Sequence, residues 1–385
     1  MSATATLELP LQEGTRLESS KISAPYSIEK PRATPPSPIQ ATEMALALPT
    51  TKSEKNPGFR FFFFGLAAVA AWSLLGGLTL GLPDKVVGFF ESWPYTQEFG
   101  IGALLFAALW FALTFLASFD NHRLPRLLAR VAGTFRHAVP WLIVFALILA
   151  TWEVLTAKTL VLEPPFFAPP SSIFDAYVND YARLLDSAYN SLKLLFKGIL
   201  WGATVGFVVG VSIGWSKRIN YWVHPILRLI GPLPPTALLP IAFVFFSTSH
   251  AASIFLIALA TGFPVAILSW SGVASVNKAY YDVARTLGAS EFFLIFRVAI
   301  PAALPQVFVG LFMGLGASFV VLIVAEMMGV KSGLGWYLEW AKGYADYIKM
   351  YSTLIVMTLI FSGLISLLFA VRDRVLVWQK GTVKW

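Results

Sequence analysis

The sequence contains no cysteine, which excludes disulfides, thiolate metal sites, iron–sulfur clusters and cysteine nucleophiles. Histidine is almost as scarce, and His122, His137, His224 and His250 are too scattered to suggest a metal cluster. Charge is thin: Asp, Glu, Lys and Arg make up 13% of the chain, against roughly 25% in an ordinary soluble domain. No Gly-x4-Gly-Lys-Ser/Thr phosphate loop occurs, so the chain is expected not to bind ATP by itself. There is no His-Glu-x-x-His, and the Gly-x-Ser-x-Gly run from Gly210 to Gly214 lies inside an apolar helical stretch, not at the strand-to-helix elbow that such a nucleophile needs. Signals of an enzyme are missing.

What the chain does hold is apolar surface. Over 385 residues, 57% are hydrophobic and 32 are phenylalanine, and the mean hydropathy is +0.68. No soluble interior hides that much, so lipid must solvate part of it, and the chain reads as an integral membrane protein. The net charge of +8 raises nucleic acid as a partner. Most Lys and Arg flank apolar stretches, however, which reads as membrane topology and not as a nucleic-acid stripe.

Residues 1–55, rich in Pro, Ser, Thr and Ala, bury too little to offset their ordering entropy and are expected to form a disordered cytoplasmic tail. A bilayer crossing takes about 20 apolar residues in helical form. Eight stretches qualify: 59–81, 100–119, 139–156, 188–215, 222–247, 251–272, 303–327 and 351–371. With the N-terminus inside, seventeen Lys and Arg fall in the inner segments, from Lys52 to Lys384, against six in the outer ones. That asymmetry places both termini in the cytoplasm. The first two spans, with the basic loop Asp120 to His137, set residues 56–137 apart from 138–385. Apart from Arg60 at the inner edge, nothing inside the first two apolar stretches is ionisable, and they are expected to be accessory, a plain bilayer anchor by default.

Two outer segments look structured. Ser171 or Ser172, after the proline-rich run 164–170, is placed to cap a short amphipathic helix reaching about Leu185. The stretch 333–350, with Trp336, Tyr337, Trp340, Tyr344 and Tyr347, suits a helix lying in the interface. Acids within the spans are confined to Glu153 and Glu326, which disfavours an ion-coupled carrier. The proline-rich opening 232–240 is expected to bend its span, with Pro240 as the kink. Lys193 and Lys197 share one helical face near the outer end of the 188–215 span. They either snorkel to the headgroups or guide an anion into the path. Gly198, Gly202, Gly206, Gly210 and Gly214 on the same span recur every four residues and admit a second helix closely.

The inner loop 278–300 carries the most specific pattern. It reads as a helix, a break at Gly288, and a second short helix with Ser290 at its cap; Pro301 and Pro305 then open the next span. Phe292, Phe293 and Phe296 make the second helix too apolar for a free cytoplasmic loop. The face either lies on the inner leaflet or plugs into a groove of a soluble partner. At Asp282-Val283-Ala284, three residues, Gly288, nine residues and Val298-Ala299-Ile300-Pro301, the chain resembles the ATPase-docking loop of ABC-importer permeases. That loop has the form Glu-Ala-Ala-x3-Gly-x9-Ile-x-Leu-Pro. Pro232 to Pro240, Ala284 to Ser290 and Ala325 to Gly335 look like the nitrate, sulfonate, taurine and bicarbonate class of these permeases.

The resemblance covers about 138–385 and implies an all-α polytopic bundle: a six-span type I, methionine-permease-like core, preceded here by two extra spans. It implies an ATP-driven importer of a small anion in a bacterial inner membrane, working by alternating access. Its partners would be cytoplasmic ABC ATPase subunits, which bind ATP and Mg, an extracytoplasmic solute-binding protein and a second copy of this chain in a homodimer. The docking residues it implies are Asp282, Ala284, Gly288, Ala289, Phe292, Phe293, Phe296 and Pro301. Lys193, Lys197 and Pro240 are the residues expected along the path. The alternatives are an ion-gradient carrier and a non-transporting assembly subunit.

Overall fold

The computed structural model describes residues 57–85, 93–118, 126–231 and 233–379, and every regular element among them is helical. The expected tail 1–55 and Pro232 lie outside the described residues. Among the described residues, seven helices are long and apolar enough to cross a membrane, or eight with one bent pair counted as a span. The fold is an all-α, polytopic membrane bundle.

Helices α1 (Pro57–Gly81), α2 (Thr96–Ser118) and α3 (Arg126–Glu153) pack through small residues. Ala71, Trp72 and Leu75 of α1 meet Ala103 and Ala107 of α2 and Ala146 and Ala150 of α3. Alanine at these contacts lets the backbones approach, the main source of helix association where lipid competes equally for apolar surface. Helix α3 begins at Arg126, so much of the expected basic loop is helical, and the expected boundary at 137/138 falls inside a helix. Arg126, Leu127, Leu128, Ala129 and Arg130 are strong helix formers, whereas a count of apolar residues starts the span only where charge stops.

A polar clamp joins α1 to the end of α3. Past Glu153 the chain makes a π-helical turn, Val154–Lys158. Buried Lys158 donates from Nζ to the Thr79 carbonyl at 2.6 Å, the Leu82 carbonyl at 2.9 Å and Asp84 Oδ1 at 2.6 Å. The Lys85 amide donates to the Ala157 carbonyl at 2.8 Å. The first span is thus bonded to the third through a buried charge, which a plain anchor does not require.

The rest of the bundle is built on α5 (Tyr181–Trp215), α8 (Ser249–Ala274) and α10 (Glu291–Met328). The glycine row of α5 lies against α8: Gly202 faces Ala258 and Thr261, Gly206 faces Gly262, and Gly210 faces Ala266 and Ser269. A Cβ at Gly206 would collide with the Gly262 backbone, so only glycine permits this approach. Numbers rise together along the seam, so α5 and α8 are parallel. Against α10 they run oppositely, with Gly272 beside Ala303 and Gly314 beside Thr261. Two parallel neighbours require the chain between them to traverse the bundle.

That traverse is not the single expected span 222–247. It consists of α6 (Lys217–Ile230) and, bent from it by 84°, a 3-10 turn Pro235–Leu238 leading into α7 (Leu239–Phe245). Pro240 is the second residue of α7, where the missing N–H has no intrahelical role, so it starts a helix and does not kink one. The break lies upstream, between Ile230 and Pro235.

Two further boundaries differ from expectation. The helix after Ser172 is only α4 (Ile173–Asn179), interrupted at Asp180, and α5 already starts at Tyr181. Arg183 and Asp186 lower the local hydropathy without breaking the helix. The aromatic stretch 333–350 does hold the expected helix, but one seated against the bundle. It forms α11 (Leu334–Gly343), with Tyr337 fully buried beside Ala176 and Leu184, before the last span α12 (Tyr347–Val375).

Candidate coupling loop, outer polar core and path

The loop between α8 and α10 opens with α9 (Lys278–Thr286), capped by Asn277, whose side chain accepts from the Ala279 amide at 3.0 Å. The helix closes through two bonds: the Gly288 amide donates to the Arg285 carbonyl at 2.9 Å, and the Ala289 amide to the Ala284 carbonyl at 3.0 Å. This is the Schellman arrangement, which needs a left-handed residue at the turn. Gly288 supplies it with φ +81. The spacing from Ala284 to Gly288 to Ala289 is therefore a helix stop written in backbone hydrogen bonds.

Ser290 then caps the next helix, accepting from the Phe293 amide at 3.4 Å. Here the structure corrects one expectation. The short second helix and the following span are one continuous element, α10, with a π-helical stretch Leu294–Ala299. Pro301 stands two residues after that stretch and Pro305 sits inside the helix. A widened turn next to Pro301 fits its missing N–H, because a normal α turn would leave a carbonyl without its donor.

The α10 helix reaches past its neighbours. Gly272, near the end of α8, lies beside Ala303, so at about 1.5 Å per residue Glu291 stands about 15 Å beyond the end of α8. Leu294 and Ala299 are buried, while Leu287 is 82%, Phe292 76% and Phe296 62% exposed. Phe293 and Val283 are exposed beside them, as are Asp282 and Gly288. Underneath, Tyr281, Ile295 and Ile300 pack on Val211 and Val273 at the ends of α5 and α8. The Tyr281 ring meets Trp215 edge-on at 5.6 Å. The loop thus has an apolar outer face and an inner face seated on two spans.

At the opposite end of α10, Glu326 is 1% exposed. Ser191 of α5 donates to its carboxyl, the Gly335 amide donates to Oε2 at 2.8 Å, and the Leu334 amide donates to Ser191 Oγ at 2.8 Å. The carboxyl therefore ties α5, α10 and the start of α11 together, satisfying amides that a helix N-terminus leaves without partners. Gly333, at φ +100, passes so close that any side chain would strike the carboxyl. Beyond it, Asp180 accepts from the Tyr337 hydroxyl at 2.7 Å and pairs with Lys349 at 3.4 Å. Burial alone would raise the Asp180 pKa, but the Tyr337 hydrogen bond and the nearby Lys349 ammonium hold it below the usual carboxylate range. Burial and the same bond push the Tyr337 hydroxyl up. Trp340 lies between the cations of Arg183 and Lys349, at 5.0 and 5.2 Å.

The residues expected along the path are exposed. Lys193 and Lys197 stand on the outer part of α5, Lys193 with its ammonium 5.9 Å from the Tyr189 ring centre. Leu239 and Ala242, flanking Pro240, are buried in one core with Leu194 and Leu195, while Pro240 and both lysines face outward. The docking residues are gathered in one loop; the path residues belong to the other end of the bundle. Ser191, Lys158 and the hydrogen bonds of Glu326 were not singled out by sequence. A serine seven residues before the glycine row and a glutamate near a span end were the signals available.

Residues 202–376 match the family described as Binding-protein-dependent transport system inner membrane component. The taurine transport system permease protein TauC of Escherichia coli (strain K12) is 32% identical over 208 residues, which cover 50% of this chain and 73% of that protein. The chain belongs to this permease family. The nitrate import permease protein NrtB of Leptolyngbya laminosa is 28% identical over 247 residues, 62% of this chain and 86% of its own. Among solved structures, the inward-facing MetNI methionine ABC transporter is similar at a TM-score of 0.42 and 16% identity, over 51% of this chain and 95% of that one. As an ABC-importer permease the chain is a multi-pass inner membrane protein, and neither the ion-gradient carrier nor the assembly subunit finds support.

Proposed function

We propose that this permease forms a homodimeric pore, each copy gripping a cytoplasmic ABC ATPase through the loop 278–300. The single observation that carries the reading is the apolar outer face of that loop. A surface of Leu287, Phe292, Phe293 and Phe296 beyond the end of the bundle is what helix-in-groove docking uses. ATP and Mg are bound by the partner, and this chain does no covalent chemistry. ATPase closure pushes on the loop, and the seat of Tyr281, Ile295 and Ile300 on α5 and α8 passes the motion to the spans as rigid-body movement. Both termini are cytoplasmic, the end that bears Lys217, Arg218, Lys278, Arg285 and Arg297.

The cargo is a small anion of the kind named for the relatives, such as nitrate or a sulfonate, delivered by an extracytoplasmic binding protein. Residues 187–281, which include α6, α7 and α8 and most of α5, contain no Asp or Glu, yet hold Lys193, Lys197, Lys217, Arg218, Arg228 and Lys278. That charge bias supports an anion path. Reconstitution with the ATPases and binding protein tests the reading: nitrate or taurine uptake is expected to need both partners and ATP. Uptake driven by an ion gradient without ATP would overturn it.

A further inference from the structure

Arg228 lies in the last turn of α6, and the packing of that helix carries it well inside the inner end of the bundle. The His224 ring packs on Trp270 with centroids 4.6 Å apart, and Gly231 lies against the Phe263 ring. Numbers fall along α8 as they rise along α6, so α6 climbs antiparallel to α8 toward the middle of the bundle. Trp270 is four residues and Phe263 eleven residues from the end of α8 at Ala274. At about 1.5 Å per residue, Arg228 is carried about 10–12 Å inward from that end.

Its face is distinct from the one that packs. Leu227 and Ile230, with Phe263 and Ala266, line an apolar cavity of about 470 Å³ between α5, α6 and α8. Arg228 is absent from that lining and exposed, on the side of Tyr221 and Pro225, which precede it by seven and three residues and are exposed too. Among the described residues it has no ion pair and no hydrogen-bonded partner. No carboxylate is available on α6, α7 or α8, and Glu326 is already bonded to Ser191 and Gly335. A guanidinium cannot shed its charge, and its fork of donors matches planar oxyanions. Just beyond it the helix stops between Ile230 and Pro235. Interrupted backbone at this depth is tolerated only where protein covers it or water lines it.

We propose that Arg228 is an anion-holding residue of the translocation path, in the inner half of the broken span, receiving planar oxyanions or sulfonates that pass Lys193 and Lys197 at the outer mouth. The inference rests on the importer reading above. The competing role is a guanidinium that reaches back to the inner headgroups and never meets cargo.

The test uses the importer with its ATPases and binding protein in vesicles, with nitrate and taurine as probes. Arg228→Gln is expected to cut ATP-driven uptake at least tenfold at saturating binding protein, and Arg228→Lys to keep at least a third of it, with ATPase co-purification intact in both. Because the chain has no cysteine, Arg228→Cys carries a unique thiol. It is expected to react with a sulfonate-bearing methanethiosulfonate at least tenfold faster than Leu229→Cys, its neighbour on the same helix. Unchanged uptake in Arg228→Gln, or equal reactivity at 228 and 229, overturns the proposal even if the wild type imports normally. Wild-type vesicles that import neither probe with ATP would instead count against the importer reading, and the thiol comparison still decides whether position 228 faces water.

Discussion

Ser191 donates its hydroxyl hydrogen to Glu326, 135 residues away in sequence, at 2.8 Å from Oε1 and 2.9 Å from Oε2. The contact fixes the outer part of α5 to α10, and Ser191 Oγ in turn accepts from the first amide of α11. Glu326→Ala leaves the Ser191 hydroxyl and the Gly335 amide buried without partners, each at a cost of about 1–3 kcal/mol. Ser191→Ala leaves the Leu334 amide without a partner and is expected to cost about 1–3 kcal/mol. Thermal unfolding of the detergent-solubilised protein should therefore rank Glu326→Ala below Ser191→Ala, with both below wild type. Indistinguishable midpoints would mean that the bonds are not holding the outer end together.

The Lys158 clamp changes what the first two helices are expected to do. All three acceptors of Lys158 Nζ lie between Thr79 and Asp84, so a chain starting at Ala132 would keep the ammonium and lose every partner. Breaking a buried pair from one side costs about 3–5 kcal/mol. The truncated chain is expected to accumulate poorly in membranes, and Lys158→Met in the same truncation to restore accumulation. Normal levels of the truncated chain with Lys158 intact would return the first two helices to the status of a plain anchor.

Asp180 gives a pH signature. Its folded pKa is lowered by Tyr337 and Lys349 despite burial, so its stabilising contribution is present above the unfolded carboxylate range and lost as pH falls through the lowered value. The unfolding-midpoint gap between wild type and Asp180→Asn is expected to be widest near neutral pH. It should shrink as pH falls below the ordinary aspartate value of 3.8. A gap that grows on acidification would contradict the pairing.

Much of this architecture is legible in the sequence because lipid imposes it. Apolar runs located the long helices, since a spanning backbone must satisfy its own hydrogen bonds. The Gly288 stop was legible because only a glycine makes that turn cheaply, and the four-residue glycine row because its close approach needs small residues throughout. The bend of the 222–247 span was legible in its prolines, but its place was not: the helix ends between Ile230 and Pro235, upstream of Pro240, and apolar content alone marks no boundary there. Nor was the early start of α5, where Arg183 and Asp186 are charged yet served by Trp340 and by Asn190. The Ser191–Glu326 and Lys158–Asp84 contacts join residues far apart in the chain, and no local pattern specifies them.

The docking of an ATPase on the loop 278–300 is the central claim. Phe293 and Phe296 are exposed and three residues apart, and burying an aromatic side chain contributes about 1.5–3 kcal/mol. Gly288→Val, at φ +81, is expected to damage the same loop through its turn. The most direct measurement is co-purification of the ATPase subunits with Phe293→Asp and Phe296→Asp permeases, alongside their membrane levels. The account predicts ATPase lost from both variants while the permease remains folded and inserted; ATPase retained at wild-type stoichiometry by both would contradict it.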